Sequence, residues 1–113
     1  MHILWVENHS RFVSVARQFL AGHKVVVVPS IGEARDASSR ELFDAALVDF
    51  DLDDGKGDVL VRELRRRFPA LLVIATSSHE AGNEALLCAG AHAVCGKLDF
   101  SRIQSVLQSA AGA

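Results

Sequence analysis

The sequence of 113 residues is poor in several features that would assign it to a particular environment. It has two cysteines, two prolines and a formal net charge of only -2 at pH 7. Two cysteines do not make the disulfide framework of a small secreted domain, and a charge near zero gives no general attraction to nucleic acid or to an anionic membrane. Because the few prolines accompany 50% hydrophobic and 23% charged residues, the composition predicts a packed domain and excludes a disordered chain.

Long hydrophobic runs are also missing. No apolar stretch approaches the roughly 18 residues of a membrane span, and the first residues do not combine a charged segment with a long apolar one. We therefore expect a cytoplasmic protein without contact to membrane or nucleic acid, and a single domain over 1–113. Cys88 and Cys95 are expected to be buried, reduced thiols, because a zinc site that joined them to His92 would lack a fourth ligand nearby.

Short apolar runs alternate with segments of helical periodicity along the chain. Strands buried on both faces are predicted at 3–6, 24–28, 45–48 and 71–75, with a weaker strand at 93–95. Five amphipathic helices follow these strands, and capping boxes are predicted at Ser30 with Glu33 and at Ser77 with Glu80. The connections suit parallel crossovers, so the sequence predicts an α/β fold with a doubly wound, five-stranded parallel sheet and helices on both faces.

Polar side chains follow four of the predicted strands. The first strand ends at Glu7 and Asn8, the third at Asp49, the fourth at Thr76 and Ser77, and the fifth leads to Lys97. The carboxyl ends of parallel strands meet at one edge, where doubly wound sheets place their active sites. We therefore expect carboxylates, a hydroxyl and an ammonium to converge there.

The order and spacing of four segments resemble the receiver domain of bacterial two-component response regulators, typified by the small chemotaxis response regulator. These segments are ILWVEN, ALVDFDLDDGKG with Gly57 eight residues after Asp49, VIATSS, and AGAHAVCGK, and the resemblance covers the whole chain. It implies a flavodoxin-like sheet with strand order 2-1-3-4-5. It also implies a phosphoacceptor that receives a phosphoryl group from a histidine kinase or phosphotransfer protein, and no enzyme activity beyond its own phosphorylation and dephosphorylation.

The resemblance further implies a role for each residue at the strand ends. Asp49 would be the phosphoacceptor, with Thr76, Lys97 and the backbone N–H of Ser77 binding the phosphoryl group. Mg²⁺ would be held by Glu7, Asn8, Asp49 and the carbonyl of Asp51, which are the oxygen ligands that this ion prefers. The output would be a shift in the fourth helix, fifth strand and fifth helix, the surface that receivers present to a downstream protein, an output domain or a second copy.

Four positions depart from the family pattern. Asn8 replaces the second acid of the metal-binding pair, so we expect weak Mg²⁺ binding. Leu98 follows the lysine where proline is usual, Val94 replaces an aromatic switch residue, and Asp53 stands where proline is often found. These departures leave open a second interpretation, a pseudo-receiver that binds its partners without being phosphorylated.

Other interpretations of the same segments are weaker. A calcium loop beginning at Asp49 would need glycine and glutamate at its sixth and twelfth places, which are Asp54 and Leu60. A flavin- or nucleotide-binding protein of the same topology is a further alternative, although ENHSRF contains no phosphate-binding glycine. The remaining acids near this edge, Asp53, Asp54 and Asp58, are interpreted as solvated. His9 and His79 are expected near the same edge, where a histidine could tune dephosphorylation, but both are interpreted as surface histidines. Of the acids, Asp58 is expected to help the third helix begin through the helix dipole.

Overall fold

A computed structural model describes residues 1–112 as alternating strands and helices. The strands of the main sheet are β1 His2–Val6, β2 Lys24–Val28, β3 Ala45–Val48, β4 Leu72–Ala75 and β5 Ala93–Val94. The α-helices are α1 Ser10–Ala16, α2 Ile31–Arg40, α3 Gly57–Arg67, α4 Glu80–Ala89 and α5 Ile103–Ala111. The segments Arg17–Leu20 and Lys97–Arg102 are 3₁₀-helical, and the short strands Asp51–Leu52 and Gly55–Lys56 pair as an antiparallel hairpin after β3.

The five strands of the main sheet are parallel and lie in the order β2-β1-β3-β4-β5. This order confirms the predicted flavodoxin-like, doubly wound sheet. The ladder continues one residue beyond each strand, since Asp49 N–H donates to the Val6 carbonyl at 3.0 Å and Thr76 N–H to the Val48 carbonyl at 3.0 Å. Because β1, β3 and β4 end level with one another, the side chains that follow them lie side by side at one edge.

Strand residues alternate between two buried layers, as the period of two in an extended chain requires. Ile3 and Trp5 pack with α1 and α5 on one face of the sheet, whereas Leu4 and Val6 pack with α2 and α3 on the other. All four side chains have no exposed surface. Complete burial of side chains of this size contributes about 1.5–3 kcal/mol each, so both layers hold the central strands firmly at the edge that carries the polar residues.

The helix starts agree with the sequence in one case and differ in another. The capping box of α2 is confirmed, because Ser30 Oγ accepts the Glu33 N–H at 3.1 Å. The box predicted for α4 is wrong: the helix begins after His79, and Ser77 Oγ accepts the His79 N–H at 3.1 Å instead. Ser77 therefore belongs to the loop after β4 and orders that loop rather than the helix.

The apolar periodicity of α4 predicts an inner face of Ala81, Ala85, Cys88 and Ala89, and of these Ala89 alone is buried. Gly82, Leu86 and Ala89 are buried, whereas Cys88 is exposed, so the expectation of a buried thiol holds for Cys95 alone. The helix carries small apolar residues on several faces, which gives its hydrophobic pattern little contrast. Close packing selects the inner face: a Cβ added at Gly82 would lie 2.6 Å from Ser77 Oγ. No helix within residues 1–112 is long and apolar enough to cross a membrane.

Candidate functional site

Asp49 directly follows β3 and is only 3% exposed. Its Oδ1 accepts the N–H of Phe50 at 2.8 Å, and its Oδ2 lies 3.1 Å from Lys97 Nζ. The start of α3 covers its backbone carbonyl so closely that a Cβ added at Gly57 would lie 2.0 Å from the carbonyl oxygen. The position of Asp49 therefore depends on a glycine that lets a helix begin against it.

Lys97 Nζ has three polar partners in this pocket. It lies 3.0 Å from Glu7 Oε2, 3.1 Å from Asp49 Oδ2 and 3.0 Å from His9 Nδ1. An ammonium carries three N–H donors and donates to both carboxylates at once. His9 Nδ1 accepts from Lys97 only when it carries no hydrogen, and it donates to Glu7 when it does. The side chain is 12% exposed and its Nζ lies 5.3 Å from the centre of the Phe12 ring. In such surroundings ion pairs are stronger than at an open surface.

Glu7 carries the second carboxylate of the pocket and is 2% exposed. Burial raises the pKa of Glu7 and the neighbouring Asp49 raises it further, whereas hydrogen bonds with His9 and Lys97 oppose the rise. Its Oε1 is buried and has no hydrogen-bond partner within residues 1–112. This carboxylate therefore retains an unused oxygen beside a second acid, an arrangement that favours an additional cation.

Asn8, beside Glu7, is oriented by an acid from the loop after β3. Asn8 Nδ2 donates to Asp53 Oδ1 at 3.1 Å, which leaves its buried Oδ1 without a partner among the described residues. Asp53 is thus more than a solvated acid. The buried oxygens of Glu7 and Asn8 that lack partners among the described residues fit an ion such as Mg²⁺, which prefers oxygen ligands.

The loop after β4 carries the hydroxyl and the backbone donor that the sequence singled out. Thr76 is completely buried, and its Oγ1 has no hydrogen-bond partner in the described part of the chain. The Ser77 N–H, however, donates to Asn83 Oδ1 at 2.9 Å, while Asn83 Nδ2 donates to the Ser77 carbonyl at 3.0 Å. In this arrangement α4 already supplies an acceptor for the Ser77 N–H, so this group would have to exchange Asn83 for a phosphoryl oxygen.

Other acids after β3 serve the surrounding loops. The carboxylate of Asp51 binds Lys56 across the hairpin, and this hydrogen bond lowers the pKa of Asp51. Asp54 accepts the N–H groups of Ile31 at 2.7 Å and Gly32 at 3.0 Å, so it caps α2 from outside that helix. The Gly32 and Ile31 hydrogen bonds lower the pKa of Asp54. The interpretation of Asp54 as a solvated acid was wrong, because its role depends on a contact that no local pattern records.

Asp58 lies at the start of the third helix, as the sequence predicted. Asp58 is in the first turn of α3, where a carboxylate favours the helix dipole, and it pairs with Arg62 one turn later. No zinc site forms from Cys88, His92 and Cys95 within residues 1–112. In that range, one group of three His, Cys, Asp or Glu side chains has its ligand atoms within 4.8 Å of one another. This group is Glu7, His9 and Asp49.

His9 was expected near this edge as a surface histidine, and it contacts both carboxylates of the pocket. Its Nδ1 lies 2.9 Å from Glu7 Oε2 and 3.8 Å from Asp49 Oδ2, although 60% of its side chain is exposed. The interpretation as a surface histidine was therefore incomplete. The available signal was its position two residues after Glu7, immediately before α1, where the chain still runs along the edge of the sheet.

The sequence matches the family profile described as response regulator receiver domain over residues 3–106. Among curated proteins it is 33% identical over 82 residues to Sensor protein TorS of Escherichia coli (strain K12). That match covers 70% of this chain and 9% of the sensor protein, so the chain spans less than a tenth of its curated relative.

Solved structures with the same fold include two receiver domains. The receiver domain of NtrX from Brucella abortus has a TM-score of 0.86 at 20% identity, covering 97% of this chain and 98% of that one. A response regulator receiver domain protein (CheY-like) from Methanospirillum hungatei JF-1 has a TM-score of 0.83 at 23% identity, covering 96% and 92%. At these identities the structural likeness shows the shared fold alone.

Proposed function

Because the chain belongs to the response regulator receiver domain family, we propose that Asp49 accepts a phosphoryl group from a histidine kinase or a phosphotransfer protein. The family consists of signalling domains rather than conventional enzymes. The observation that supports the proposal best is the contact of one buried ammonium, Lys97, with the carboxylates of Asp49 and Glu7 at the edge of the sheet.

The proposed step is a substitution at phosphorus. A carboxylate oxygen of Asp49 forms a bond to phosphorus, the bond from phosphorus to the donor breaks, and the leaving group departs with the electron pair. The N–H of Phe50 holds Oδ1 in place, while Oδ2 faces Lys97. The ammonium is placed to offset negative charge on the transferring group, and the hydroxyl of Thr76 supplies a buried donor for a phosphoryl oxygen.

We assign the cation of the pocket to oxygen atoms at the ends of β1 and β3. Glu7, Asn8 and Asp49 supply side-chain oxygens, and the carbonyl of Asp51 is the proposed fourth ligand. When bound, Mg²⁺ supplies positive charge that offsets the phosphoryl oxygens. We expect weak binding, because Asn8 is neutral where the family has an acid and Lys97 already offsets part of the charge.

The proposed output surface comprises α4, β5 and α5. Leu87 of α4, Val94 of β5 and Leu98 of the 3₁₀ segment Lys97–Arg102 are exposed, and they line a surface groove of about 380 Å³. We propose that a downstream protein or an output domain binds this groove. A homodimer formed through the same surface would compete with that partner. The proposed location of the protein is the cytoplasm. Since Val94 is not aromatic, the signal would pass from the Thr76 loop to α4 through the pair of hydrogen bonds between Ser77 and Asn83.

Intact-protein mass spectrometry after incubation with acetyl phosphate and Mg²⁺ tests the proposal. We expect one added phosphoryl group on the parent and none on Asp49→Asn. Asp36→Asn is the matched control, because Asp36 pairs with Arg40 on the exposed face of α2, and it should be modified like the parent. A parent that gains no phosphoryl group with Mg²⁺ or Mn²⁺ would refute the assignment of Asp49 as an acceptor.

A phosphorylation-independent pseudo-receiver is the second candidate function. The observation that favours it is the occupied state of the pocket: Lys97 already pairs with both carboxylates, and Asn83 already binds the Ser77 N–H. In that case partner binding through the α4, β5 and α5 surface should be equal for the parent and Asp49→Asn. A difference between them after incubation with acetyl phosphate would favour the phosphoacceptor.

A further inference from the structure

One group in the pocket has no part in the proposed phosphoryl transfer or in a magnesium site built from oxygen atoms, and that group is the imidazole of His9. Its Nδ1 lies 2.9 Å from Glu7 Oε2 and 3.8 Å from Asp49 Oδ2. Glu7, His9 and Asp49 can each offer one ligand atom within 4.8 Å of the others. A nitrogen donor thus completes a cluster with two carboxylates.

The same three atoms already surround a cation. Lys97 Nζ lies 3.0 Å from Glu7 Oε2, 3.0 Å from His9 Nδ1 and 3.1 Å from Asp49 Oδ2. The ammonium therefore sits at the point where a metal ion would meet these ligands. An ion coordinated by all three atoms would occupy the present position of the ammonium. The two cations therefore exclude each other there.

A second observation indicates that the cluster has ligand capacity beyond the ammonium. Glu7 is 2% exposed, and its Oε1 has no hydrogen-bond partner from any described residue. A buried carboxylate oxygen left unpaired carries a free-energy cost. An ion that binds both oxygens of the Glu7 carboxylate would remove that cost, whereas the ammonium contacts only Oε2.

The donor types select among ions. Mg²⁺ prefers oxygen ligands in regular octahedral geometry, whereas imidazole favours first-row transition metals. We infer that the pocket binds a first-row transition-metal dication in preference to Mg²⁺, with Glu7, His9 and Asp49 as ligands, and that this ion displaces the Lys97 ammonium. The inference deepens the proposed function and rests on it, because it identifies the cation of the same pocket.

Mn²⁺ is the probe for the first experiment, because the exposed thiol of Cys88 has less affinity for it than for Zn²⁺. Free Mn²⁺ is measured by electron paramagnetic resonance during titration of the full chain without a phosphoryl donor. His9→Ala should lower the affinity for Mn²⁺ about tenfold or more and leave that for Mg²⁺ within about twofold. His79→Ala is the matched control, since His79 is also exposed and also precedes a helix, and it should bind Mn²⁺ like the parent.

The second experiment tests displacement of the ammonium. Lys97→Met removes the competing charge, so Mn²⁺ affinity should rise about tenfold more than in Lys56→Met. The Lys56 variant removes an equal charge, but this lysine pairs with Asp51 on the exposed hairpin. Circular dichroism establishes that each variant folds, and Lys97→Gln replaces the methionine variant if that one does not.

The outcomes separate this inference from the proposed function. Equal Mn²⁺ affinities of His9→Ala and His79→Ala, or an equal gain in the two lysine variants, would overturn the inference, even where Asp49 is phosphorylated with Mg²⁺. Binding of Mn²⁺ that depends on His9 and strengthens without Lys97 would support it, even where no phosphoryl group is transferred.

Discussion

Replacement of Gly57 by alanine tests the contact that places Asp49. Gly57 does not lie at positive φ, so the backbone itself accepts alanine, which elsewhere in a helix would be favourable by up to about 1 kcal/mol. Here the new Cβ would lie 2.0 Å from the Asp49 carbonyl oxygen and 3.2 Å from Leu86 Cδ2. Non-bonded carbon atoms are normally about 3.5–4.0 Å apart, so the start of α3 would have to move away from β3.

The size of the effect follows from two contributions. Overpacking that shifts the backbone costs about 1–3 kcal/mol. The same shift weakens the hydrogen bond from the Gly57 N–H to the Phe50 carbonyl, which contributes about 1 kcal/mol. We therefore expect Gly57→Ala to lower the free energy of unfolding by about 2–4 kcal/mol and to slow phosphorylation of Asp49.

Urea denaturation followed by circular dichroism measures this loss. Gly32→Ala is the control, because it also places alanine in the first turn of a helix but meets only Asp54 Oδ2 at 3.4 Å. That variant should range from unchanged to about 1 kcal/mol more stable. If Gly57→Ala unfolds within about 0.5 kcal/mol of the parent, the reasoning is refuted, and Asp49 is positioned by something other than the start of α3.

Three further changes test the surroundings of the pocket. Glu7→Gln should be more stable than the parent at pH 7, because burial and Asp49 raise the Glu7 pKa. The difference in the free energy of unfolding in favour of the variant should grow as the pH rises from about 4. A parent that is more stable than the variant would contradict this. Asp54→Ala should be less stable than the parent at pH 7. The N–H groups that begin α2 lower the Asp54 pKa. The parent's excess stability over the variant should therefore shrink as the pH falls below about 4. A stability difference that does not depend on pH would count against the cap. Asn83→Ala should free the Ser77 N–H and speed phosphorylation about 2- to 10-fold, the equivalent of one net hydrogen bond; an unchanged or slower rate by phosphoryl-transfer assay would exclude that role.

The sequence predicted the sheet because strands buried on both faces produce continuous apolar runs. The predicted strand 45–48 agrees with β3 residue for residue, and its end determines the position of Asp49. Residues that directly follow a strand could therefore be placed from the sequence. Parallel strands that end level with one another bring the residues after them together at one edge of the sheet. The same reasoning predicted that Glu7, Asp49 and Lys97 meet, and Lys97 Nζ lies 3.0 Å from Glu7 Oε2 and 3.1 Å from Asp49 Oδ2.

Contacts made between loops and helices could not be predicted in this way. Asp54 caps α2 from 22 residues away, and Asn83 binds the Ser77 N–H from a helix whose inner face the pattern misplaced. A capping residue that is distant in sequence leaves no periodic signal, and small residues such as Gly82 mark close packing rather than hydrophobicity. The contacts of His9 with the two carboxylates could not be predicted for a related reason, because an exposed polar residue beside a strand end resembles any loop residue.

The charge of the pocket connects the metal, the lysine and the phosphoryl group. Glu7 and Asp49 face the single ammonium of Lys97, so the unmodified pocket carries about one net negative charge, where an acid in place of Asn8 would make it two. A dication that joined Lys97 would leave an excess positive charge, whereas one that displaces it leaves the pocket neutral, and a buried net charge is costly. A phosphoryl group on Asp49 brings about two negative charges in place of the single carboxylate charge. The phosphoryl group and Glu7 then carry about three negative charges, which the dication and the ammonium balance together. The two cations should therefore compete before phosphorylation and bind together after it, which means that the metal stabilises the modified state more than the unmodified one.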